Sequence, residues 1–312
     1  MGRQVIIGAG TNGQQLATLL ASRDEEVVLV SRRGSGHDQA GIECVAADAS
    51  DAATLAELAR GAVAIYNCAN PPYIAWETDW PPLAASLLTA AESSGAILVT
   101  LSNLYGYGPV DHPMVETDPL ASAGRKGQVR ATMWNEALAA HEAGRIRCTE
   151  VRASDFFGPG LTNQGYLGER CVPRILAGKP VQGIGDPDAP HSWSFVPDVV
   201  TALATVAADE RSLGRAWHVP TAPPRSLRQA VAELAGAARV PTPKVRGLAP
   251  LGLTVLGAFS KQMAEMKEIS YQFTAPFVLD SSDFETTFNA TPTPFTEACA
   301  ATVAWWRERL GG

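Results

Sequence analysis

The fold of this chain is decided by the stretch Val5-Ile6-Ile7-Gly8-Ala9-Gly10-Thr11-Asn12-Gly13 near its start. The apolar residues before Gly8 are typical of a buried β-strand, and the residues after Gly13 have the apolar spacing of a helix. Glycines spaced as GxGxxG between a strand and a helix are typical of a dinucleotide-binding βαβ unit. The motif therefore predicts a parallel sheet whose first turn holds a pyrophosphate at a helix N-terminus.

Each glycine of this motif has its own predicted role. Gly8 permits the tight turn out of the strand, Gly10 lets a pyrophosphate approach the backbone, and Gly13 lets the helix pack against the strand. A glycine-rich turn without a ligand is the alternative interpretation. The predicted cofactor contacts in this turn are Gly8, Gly10, Thr11, Asn12 and Gly13.

The residues after the second predicted strand indicate which dinucleotide binds. Ser31 lies 18 positions after Gly13, close to where the ribose-contacting residue is expected, and Arg32 and Arg33 follow it. No Asp or Glu occurs from position 31 to 37. A ribose 2′-phosphate would therefore meet a hydroxyl and two guanidinium groups instead of a repelling carboxylate. We predict NADP(H) as the cofactor, with a solvated arginine pair as the alternative.

The composition is that of an ordinary globular protein, since 46% of the residues are hydrophobic and 18% are charged. The net charge of −7 argues against nucleic-acid binding, which needs a basic face. The five cysteines form no CxxC pair, so we predict reduced thiols and no metal site. Because a predicted core strand is already present by Val5, we expect no signal peptide. We expect a cytoplasmic monomer or homodimer with a small-molecule substrate and no membrane partner.

Strand and helix patterns alternate in the first half of the chain, which predicts an α/β fold with a Rossmann doubly wound parallel sheet. Ligands bind such sheets at the carboxyl ends of the strands. A predicted helix begins at Pro81-Pro82 and ends at Gly95, and Ser50-Asp51 is predicted to cap another. The predicted strands lie near Gln4–Ile7, Val27–Val30, Ile42–Val45, Val63–Asn67, Ile97–Leu101 and Arg147–Arg152.

Proline and glycine become frequent past Gly158, which indicates a change of organisation. We expect an NADP-binding Rossmann domain in residues 1–160 and a smaller substrate-binding lobe in 161–312, with about 193–220 returning to the Rossmann sheet. The most apolar later stretch, Leu248 to Phe259, is too short to span a bilayer and is predicted to form a buried or substrate-covering helix.

Several later segments carry a family resemblance. They are Asp48, the loop from Asn67 to Pro71, the turn from Ser102 to Pro109, the stretch from Val151 to Gly160 and the element from Ser194 to Val199. With the glycine motif, they resemble in order the extended or atypical branch of the short-chain dehydrogenase/reductase superfamily, which has an epimerase/dehydratase-like architecture. The resemblance implies that Asp48 contacts the adenine amino group. It also implies that Cys68, Ala69, Asn70 and Ser154 contact the cofactor, the last beside the nicotinamide.

The chain departs from this family at the catalytic motif. The family uses a Tyr in YxxxK to protonate the substrate oxygen and a Lys to hold the nicotinamide ribose, but this chain has no YxxxK. Lys126 and Arg130 keep the i, i+4 spacing on a predicted helix and align with that Tyr and Lys. The family's Ser/Thr position falls on Asn103, with Ser102 before it. The catalytic candidates are Ser102, Asn103, Tyr105, Lys126 and Arg130.

These assignments have structural alternatives. Tyr105 lies in a glycine-rich turn with Tyr107 and can serve packing instead of catalysis. Lys126 and Arg130 can be an ordinary solvated helix face, and Asn103 can cap the turn after a strand.

Three functions fit these patterns. The leading hypothesis is an NADPH-dependent oxidoreductase that reduces a ketone without the usual Tyr–Lys pair. The second is a sugar-nucleotide epimerase or dehydratase, and the third is a non-catalytic NADP(H)-sensing regulator. Aromatic residues after the strands favour a flat, largely apolar or aromatic substrate; these are Tyr73, Trp76, Trp80, Phe156, Phe157 and Trp193.

Overall fold

The computed structural model describes residues 2–36, 39–163, 165–248 and 267–311. The stretch predicted to form a substrate-covering helix therefore lies outside the described residues, apart from Leu248 itself. The chain divides into two compact units. Unit 1 comprises Met1–Gly106, Pro119–Ala153 and Val199–Val219, and unit 2 comprises Tyr107–Asp118, Ser154–Asp198 and Pro220–Gly312.

The described strands of unit 1 form a seven-stranded sheet in the order β10-β6-β5-β4-β1-β2-β3, and its neighbouring strands are parallel. The chain runs outward from β1 to β3 and then returns to β4 on the other side of β1, so the switch point lies between β1 and β4. This confirms the predicted Rossmann fold. The strands are β1 (Arg3–Ile7), β2 (Glu26–Ser31), β3 (Ile42–Ala46), β4 (Ala62–Asn67), β5 (Ile97–Asn103), β6 (Arg147–Ala153) and, later in the chain, β10 (Ala216–His218).

The helices have the spacing that the sequence indicates, except at the start of α3. Asp51 caps the second helix as predicted, because its Oδ1 accepts hydrogen bonds from the backbone N–H groups of Ala53 and Thr54 at 3.1 and 3.4 Å. The described α-helices are α1 (Thr11–Ala21), α2 (Ala52–Leu58), α3 (Trp76–Ser94), α4 (Arg125–Glu142), α5 (Val172–Leu176), α6 (Val196–Ala208), α7 (Leu227–Ala238), α8 (Ser282–Phe288) and α9 (Phe295–Gly311).

The start of α3 differs from the prediction. The helix begins at Trp76, so Pro81 and Pro82 lie inside it instead of at its first turn. Trp76 and Trp80 are one turn apart and fully buried, and the Trp76 Nε1 donates a hydrogen bond to the Pro71 carbonyl at 2.9 Å. Burial of these two indoles stabilises the turn that precedes the prolines, and tertiary packing outweighs the local proline signal.

The core of unit 1 fixes which face of the sheet meets α3 and α4. Leu98 on β5 and Cys148 on β6 pack with Trp80 of α3 and with Trp134 and Ala137 of α4. Because side chains alternate along a strand, positions 98, 100 and 102 of β5 share this face, as do positions 148, 150 and 152 of β6. The even-numbered polar residues at the ends of both strands therefore lie on the side of the sheet that carries α3 and α4.

Unit 2 has its own core and two small parallel sheets. One sheet pairs β7 (Asp155–Phe157) with β9 (Trp193–Phe195), and the other pairs β8 (Val181–Ile184) with β11 (Val245–Leu248). Residues of α5, α7 and α9 pack with Phe157 and Trp193 in one apolar cluster.

Candidate active site

The first turn of unit 1 can be formed only by glycine at two positions. Gly8 has φ of +105°, and a Cβ there would lie 2.7 Å from the Ala69 nitrogen and from the Cys68 carbonyl oxygen. A Cβ at Gly13 would clash with the Gly8 carbonyl oxygen. The Gly8 N–H donates to the Val30 carbonyl at 2.8 Å. The two glycines therefore bring the end of β1, the start of α1 and the loop after β4 into close contact.

The N-terminus of α1 has the features of an anion site. Gly10 is the N-cap of α1 and has an extended backbone conformation. As a glycine it has no side chain to accept hydrogen bonds from the first backbone N–H groups of the helix. Thr11 and Asn12 form the first helical turn. The Asn12 Oδ1 is buried without a hydrogen-bond partner among the described residues, and as an acceptor it can bind only a donor group. The Gln14 Nε2 donates to the Ala9 carbonyl at 2.7 Å, which holds the turn in place.

The predicted ribose-binding residues lie at the carboxyl end of β2. Ser31 is the last residue of that strand and pairs in register with Ala46 of β3. Its Oγ accepts a hydrogen bond from the Ser35 N–H at 2.9 Å, so the following turn is closed by this hydroxyl. Arg32 and Arg33 are exposed in the turn. Both guanidinium groups are therefore accessible to a phosphate.

Asp48 lies just beyond the end of β3, at the same edge of the sheet. Its Oδ1 accepts hydrogen bonds from the Ser50 N–H at 3.0 Å and from the Ser50 hydroxyl at 2.8 Å. These hydrogen bonds lower the pKa of Asp48, with a smaller contribution from the positive charge of Arg32. Asp48 is therefore ionised at neutral pH and lies in the field of one of the predicted phosphate ligands.

The loop after β4 crosses the switch point. Asn67, the last residue of β4, is buried; its Oδ1 accepts a hydrogen bond from the Ala69 N–H at 3.3 Å, while its Nδ2 has no partner among the described residues. The Cys68 N–H donates to the Ile7 carbonyl at 2.8 Å. Burial raises the pKa of the Cys68 thiol to about 12, so it stays protonated at neutral pH. Asn70 is exposed.

Lys126 and Arg130 on α4 are buried, with 3% and 6% of their surfaces exposed. The alternative of a solvated helix face is therefore wrong. The Arg130 guanidinium carbon lies 4.7 Å from the ring centroid of Trp76 and 4.4 Å from that of Trp80. Its Nε and Nη1 have no hydrogen-bond partner among the described residues. A buried cation with unpaired N–H groups is costly, so this position favours an acceptor supplied by a ligand or by water.

The charge of Arg130 is set by burial and by one carboxylate. Burial lowers the pKa of Arg130 to about 10, and the negative charge of Glu150 partly opposes this effect. The guanidinium therefore remains a cation at neutral pH. As a cation it can stabilise negative charge on a bound group.

Lys126 lies over the ring of Tyr73, which was not predicted as catalytic and is hydrogen-bonded to Tyr105, which was. The Lys126 Nζ lies 5.4 Å from the ring centroid of Tyr73. The hydroxyls of Tyr73 and Tyr105 are hydrogen-bonded to each other, and both residues are half-buried. The Tyr105 ring also stacks on Trp76 with a centroid distance of 6.0 Å. Sequence analysis placed Tyr73 only among aromatic residues of a pocket, because it lies 32 positions before Tyr105.

Gly127 explains how α4 approaches the turn after β5. A Cβ at Gly127 would clash with the side chain of Ser122 and with the carbonyl oxygen of Tyr105. The Ser122 N–H in turn donates to the Gly106 carbonyl at 3.1 Å. Sequence analysis missed this role, although a glycine next to a predicted catalytic position inside a helix was a usable signal.

Asn103 and Ser102 cannot both face α4, because they are successive residues on β5. The Asn103 Oδ1 accepts a hydrogen bond from the Tyr105 N–H at 3.1 Å, so Asn103 caps the turn. Ser102 is buried, pairs in register with Arg152 and lies on the α4 face.

A buried ion pair underlies this cluster, and sequence analysis missed it. The Arg152 Nε donates to the Glu150 Oε1 at 2.6 Å, and both side chains are 3% exposed. Glu150 lines a small cavity of about 20 Å³, together with Asn67, Thr100 and Trp134. That volume holds about one water molecule. The paired charges alternate with apolar residues in β6, which gave them the pattern of an ordinary strand.

In unit 2, Ser154 follows the end of β6. Its N–H donates to the Ser194 Oγ at 2.9 Å, and its own Oγ is buried without a partner among the described residues. Asp198 accepts hydrogen bonds from the Thr293 N–H and hydroxyl at 2.9 and 2.7 Å, which is a structural role. Phe157 and Trp193 lie in the core of this unit.

Unit 2 also contains a buried histidine surrounded by aromatic rings. The His191 Nε2 contacts the Asp155 Oδ2 at 2.8 Å, and its Nδ1 contacts the Gln272 carbonyl oxygen at 3.2 Å. The rings of Trp193 and Phe273 lie 4.4 and 5.3 Å from the imidazole, between centroids. Both ring nitrogens therefore face oxygen atoms.

No helix within the described ranges is long and apolar enough to cross a membrane. In the same ranges, no group of three His, Cys, Asp or Glu residues is arranged to hold a metal ion.

Comparison with known proteins gives one family match. The model of the NAD dependent epimerase/dehydratase family matches residues 5–219. The search of curated protein sequences gave no match.

Solved structures resemble the whole chain. One is dTDP-glucose 4,6-dehydratase from Bacillus anthracis in complex with NAD, with a TM-score of 0.82 and 16% identity over 99% of this chain and 97% of that one. Another is UDP-glucuronic acid 4-epimerase from Bacillus cereus in complex with NAD, with a TM-score of 0.81 and 14% identity over 98% of this chain and 99% of that one. A third is UDP-glucose 4-epimerase from Thermotoga maritima with UDP-glucose, with a TM-score of 0.79 and 17% identity over 99% of each chain.

Proposed function

Because this chain belongs to the NAD dependent epimerase/dehydratase family, we propose that it is an NADP(H)-dependent oxidoreductase acting on a carbon that bears oxygen. The observation that carries the proposal is Arg130, a buried cation on the helix where the family holds its nicotinamide ribose; its Nε and Nη1 have no hydrogen-bond partner among the described residues. The match to the family supports a nicotinamide dinucleotide, while the choice of NADP(H) depends on Arg32 and Arg33.

The residues of unit 1 fit this cofactor. The turn around Gly8 leaves no space for a side chain, and α1 begins after Gly10, which has no side chain to cap the helix in place of a phosphate. When bound, the nicotinamide would supply or accept the hydride. The proposed contacts are Gly8, Gly10, Thr11, Asn12 and Gly13 for the pyrophosphate; Ser31, Arg32 and Arg33 for the ribose phosphate; Asp48 for the adenine; Cys68, Ala69, Asn70 and Ser154 along the cofactor; and Arg130 for the nicotinamide ribose.

The residues of α4 would stabilise the reacting oxygen. Negative charge develops on a carbonyl oxygen as hydride reaches its carbon, and the cations Lys126 and Arg130 favour that charge in a buried site. Lys126 is able to donate a proton as well as to supply charge. Asn103 and Ser102 remain candidate hydrogen-bond donors, on opposite faces of β5.

Two substrate classes remain, and the comparisons support a sugar nucleotide better than an apolar ketone. The similar solved structures are dehydratases and epimerases of dTDP- and UDP-sugars. The aromatic residues that favoured a flat ketone give less support, because Trp76 and Trp80 are fully buried against Arg130. We therefore propose a sugar nucleotide as the first substrate class to test and a ketone of a largely apolar molecule as the second.

The cofactor assignment is tested by titrating NADPH and NADH, with tryptophan fluorescence as the readout. We expect NADPH to bind more tightly, and Arg32→Ala and Arg33→Ala to shrink the difference, because each removes a charged phosphate ligand. Arg60→Ala is the matched control, since Arg60 is an exposed arginine of unit 1 that pairs with Glu57. Equal affinities of the unsubstituted protein for both dinucleotides would overturn the assignment of NADP(H).

Turnover is tested by incubating the protein and either dinucleotide with dTDP- and UDP-sugars and with aromatic ketones. The readouts are cofactor absorbance and product chromatography. Conversion of a sugar nucleotide or reduction of a ketone identifies the substrate class. Tight dinucleotide binding without conversion of any compound would contradict the enzyme proposal and favour the third function, an NADP(H)-sensing regulator.

A further inference from the structure

The hydrogen-bonded hydroxyls of Tyr73 and Tyr105 lie where three elements of unit 1 meet. Tyr105 follows the end of β5, Tyr73 begins the 3-10 turn before α3, and Lys126 projects from the first turn of α4. We propose that Tyr105 is the proton donor of the reaction, with Tyr73 as its hydrogen-bond partner and Lys126 as the charge that favours the phenolate. This inference rests on the proposed hydride transfer.

The first argument is that the helix position of the family's Tyr holds a lysine here. A phenol is therefore missing from α4, while the lysine that replaces it lies over the ring of Tyr73, whose hydroxyl is hydrogen-bonded to that of Tyr105. The clash that a Cβ at Gly127 would make with the Tyr105 carbonyl indicates how closely α4 approaches this pair. The acid and the cation are both present, but they come from different elements.

The second argument is electrostatic. The Lys126 Nζ lies 5.4 Å from the Tyr73 ring centroid, and Arg130 interacts electrostatically with both tyrosines. Neighbouring cations favour the ionised form of a phenol. A phenolate on Tyr105 would also accept a hydrogen bond from the Tyr73 hydroxyl, which is a charge-assisted contact.

Two ion pairs lie on the surrounding elements that the structure describes. Glu77 near the start of α3 and Arg125 at the start of α4 form an exposed ion pair at 3.0 Å. Glu150 on β6 pairs with Arg152 at 2.6 Å. Lys126 and Arg130 are the cations that the described contacts place at these tyrosines, and their positive charge favours a phenolate there.

The chemical step is balanced with groups that the proposed function supplies. As hydride adds to the carbonyl carbon, the π electron pair moves to the carbonyl oxygen. The O–H bond of Tyr105 breaks and a new O–H bond forms on that oxygen, which leaves a phenolate on Tyr105. The Tyr73 hydroxyl donates a hydrogen bond to this phenolate until water reprotonates it. Oxidation of an alcohol follows the same path in reverse.

The proposal has a readout that needs neither substrate nor cofactor, namely the near-ultraviolet absorbance of phenolate during a pH titration. Burial raises the pKa of Tyr66 and of Tyr166, and it raises the pKa of Tyr271 to about 12, so these three ionise late. We expect a phenolate signal at lower pH in the unsubstituted protein. Tyr105→Phe and Tyr73→Phe should each remove or delay that signal.

Two further variants complete the titration. Lys126→Met should move the early ionisation to higher pH, because it removes the cation while keeping an unbranched side chain. Tyr107→Phe is the matched control two positions from Tyr105 and should leave the signal unchanged. A single late ionisation of all tyrosines, identical in the unsubstituted protein and in Lys126→Met, would overturn the proposal.

Kinetics on whichever substrate is converted provides the second test. We expect Tyr105→Phe to lower kcat by roughly 10²–10⁴-fold with little change in KM. Tyr73→Phe should lower kcat by about tenfold, as for the loss of one hydrogen bond. Retained NADPH binding shows that each variant is folded. Full activity of Tyr105→Phe would refute this inference and leave the proposed function intact, whereas an unsubstituted protein without turnover would refute the proposed function itself.

Discussion

Arg130 in unit 1 and His191 in unit 2 are both buried nitrogen bases held among aromatic rings, and they differ in how their nitrogens are satisfied. Both ring nitrogens of His191 contact oxygen atoms, those of Asp155 and of the Gln272 carbonyl. The Nε and Nη1 of Arg130 have no such partner within the described residues. Each residue and the aromatic rings around it form a cluster. The hydrogen-bonding groups of the basic side chain are satisfied in the His191 cluster but not in the Arg130 cluster, as far as the structure describes the chain.

This difference separates a structural network from a binding site. A buried polar network whose members are all hydrogen-bonded stabilises its surroundings and needs no ligand. A buried guanidinium with unpaired N–H groups carries an unfavourable free energy that an incoming acceptor can relieve. The comparison therefore predicts that substitutions at the two clusters change different measured properties.

The largest expected effect is on stability and comes from Glu150. Glu150→Gln should lower the free energy of unfolding by about 3–5 kcal/mol, because it leaves Arg152 buried without its carboxylate. Urea denaturation measures this change. The matched control is Glu92→Gln, which breaks an exposed pair with Arg145 and should cost about 1 kcal/mol or less. Similar losses for both variants would show that the buried pair is not special.

The second effect separates the two clusters. Asp155→Ala should lower the free energy of unfolding by about 1.5–3 kcal/mol, because a buried His191 loses its charged partner. It should leave NADPH affinity unchanged if the histidine cluster is purely structural. Denaturation and a fluorescence titration on the same sample check both parts. A large loss of NADPH affinity with unchanged stability would remove the contrast between the clusters.

Arg130→Met should give the opposite result. NADPH affinity should fall by about 10–100-fold, because the cofactor loses charge-assisted hydrogen bonds. The free energy of unfolding should stay the same or rise, because an unpaired buried charge is replaced by an apolar side chain. Arg130→Lys, which keeps the charge but not the planar donor group, should recover part of the affinity. A strongly destabilised Arg130→Met protein with normal affinity would contradict the account.

The smallest effect concerns the approach of α4. Gly127→Ala should lower the free energy of unfolding by about 1–3 kcal/mol, because the added Cβ meets Ser122 and the Tyr105 carbonyl. Gly236→Ala in α7 is the control, since nothing lies within 4 Å of a Cβ there and alanine favours a helix. Equal or higher stability of both variants would mean that the close contact at Gly127 is readily relieved.

The fold of unit 1 was predictable because its signals are local. The strand that ends at Ile7, the glycines after it and the strand that ends at Ser31 each follow from a few neighbouring residues. The start of α3 was not predictable in this way. Pro81 and Pro82 indicate a helix start, but burial of Trp76 and Trp80 extends the helix before them, and that burial depends on distant residues.

The candidate site was predictable where a motif determines it and not where contacts cross the sequence. The i, i+4 spacing of Lys126 and Arg130 identified a shared helix face, but nothing in the sequence showed that this face is buried. The Tyr73–Tyr105 hydrogen bond joins residues far apart in the chain. Glu150 and Arg152 form a buried pair inside a strand whose pattern gave no sign of it.

The most direct test of the central claim is the nuclear magnetic resonance signal of the Arg130 Nε–H, assigned with the Arg130→Lys variant. If the cofactor accepts hydrogen bonds from the Arg130 guanidinium, the Nε–H resonance should shift and this proton should exchange more slowly with water as NADPH saturates the protein. The resonances of the His191 ring should not change. Saturation with NADPH that leaves the Arg130 signal unchanged would contradict the claim that this buried cation exists to hold the dinucleotide.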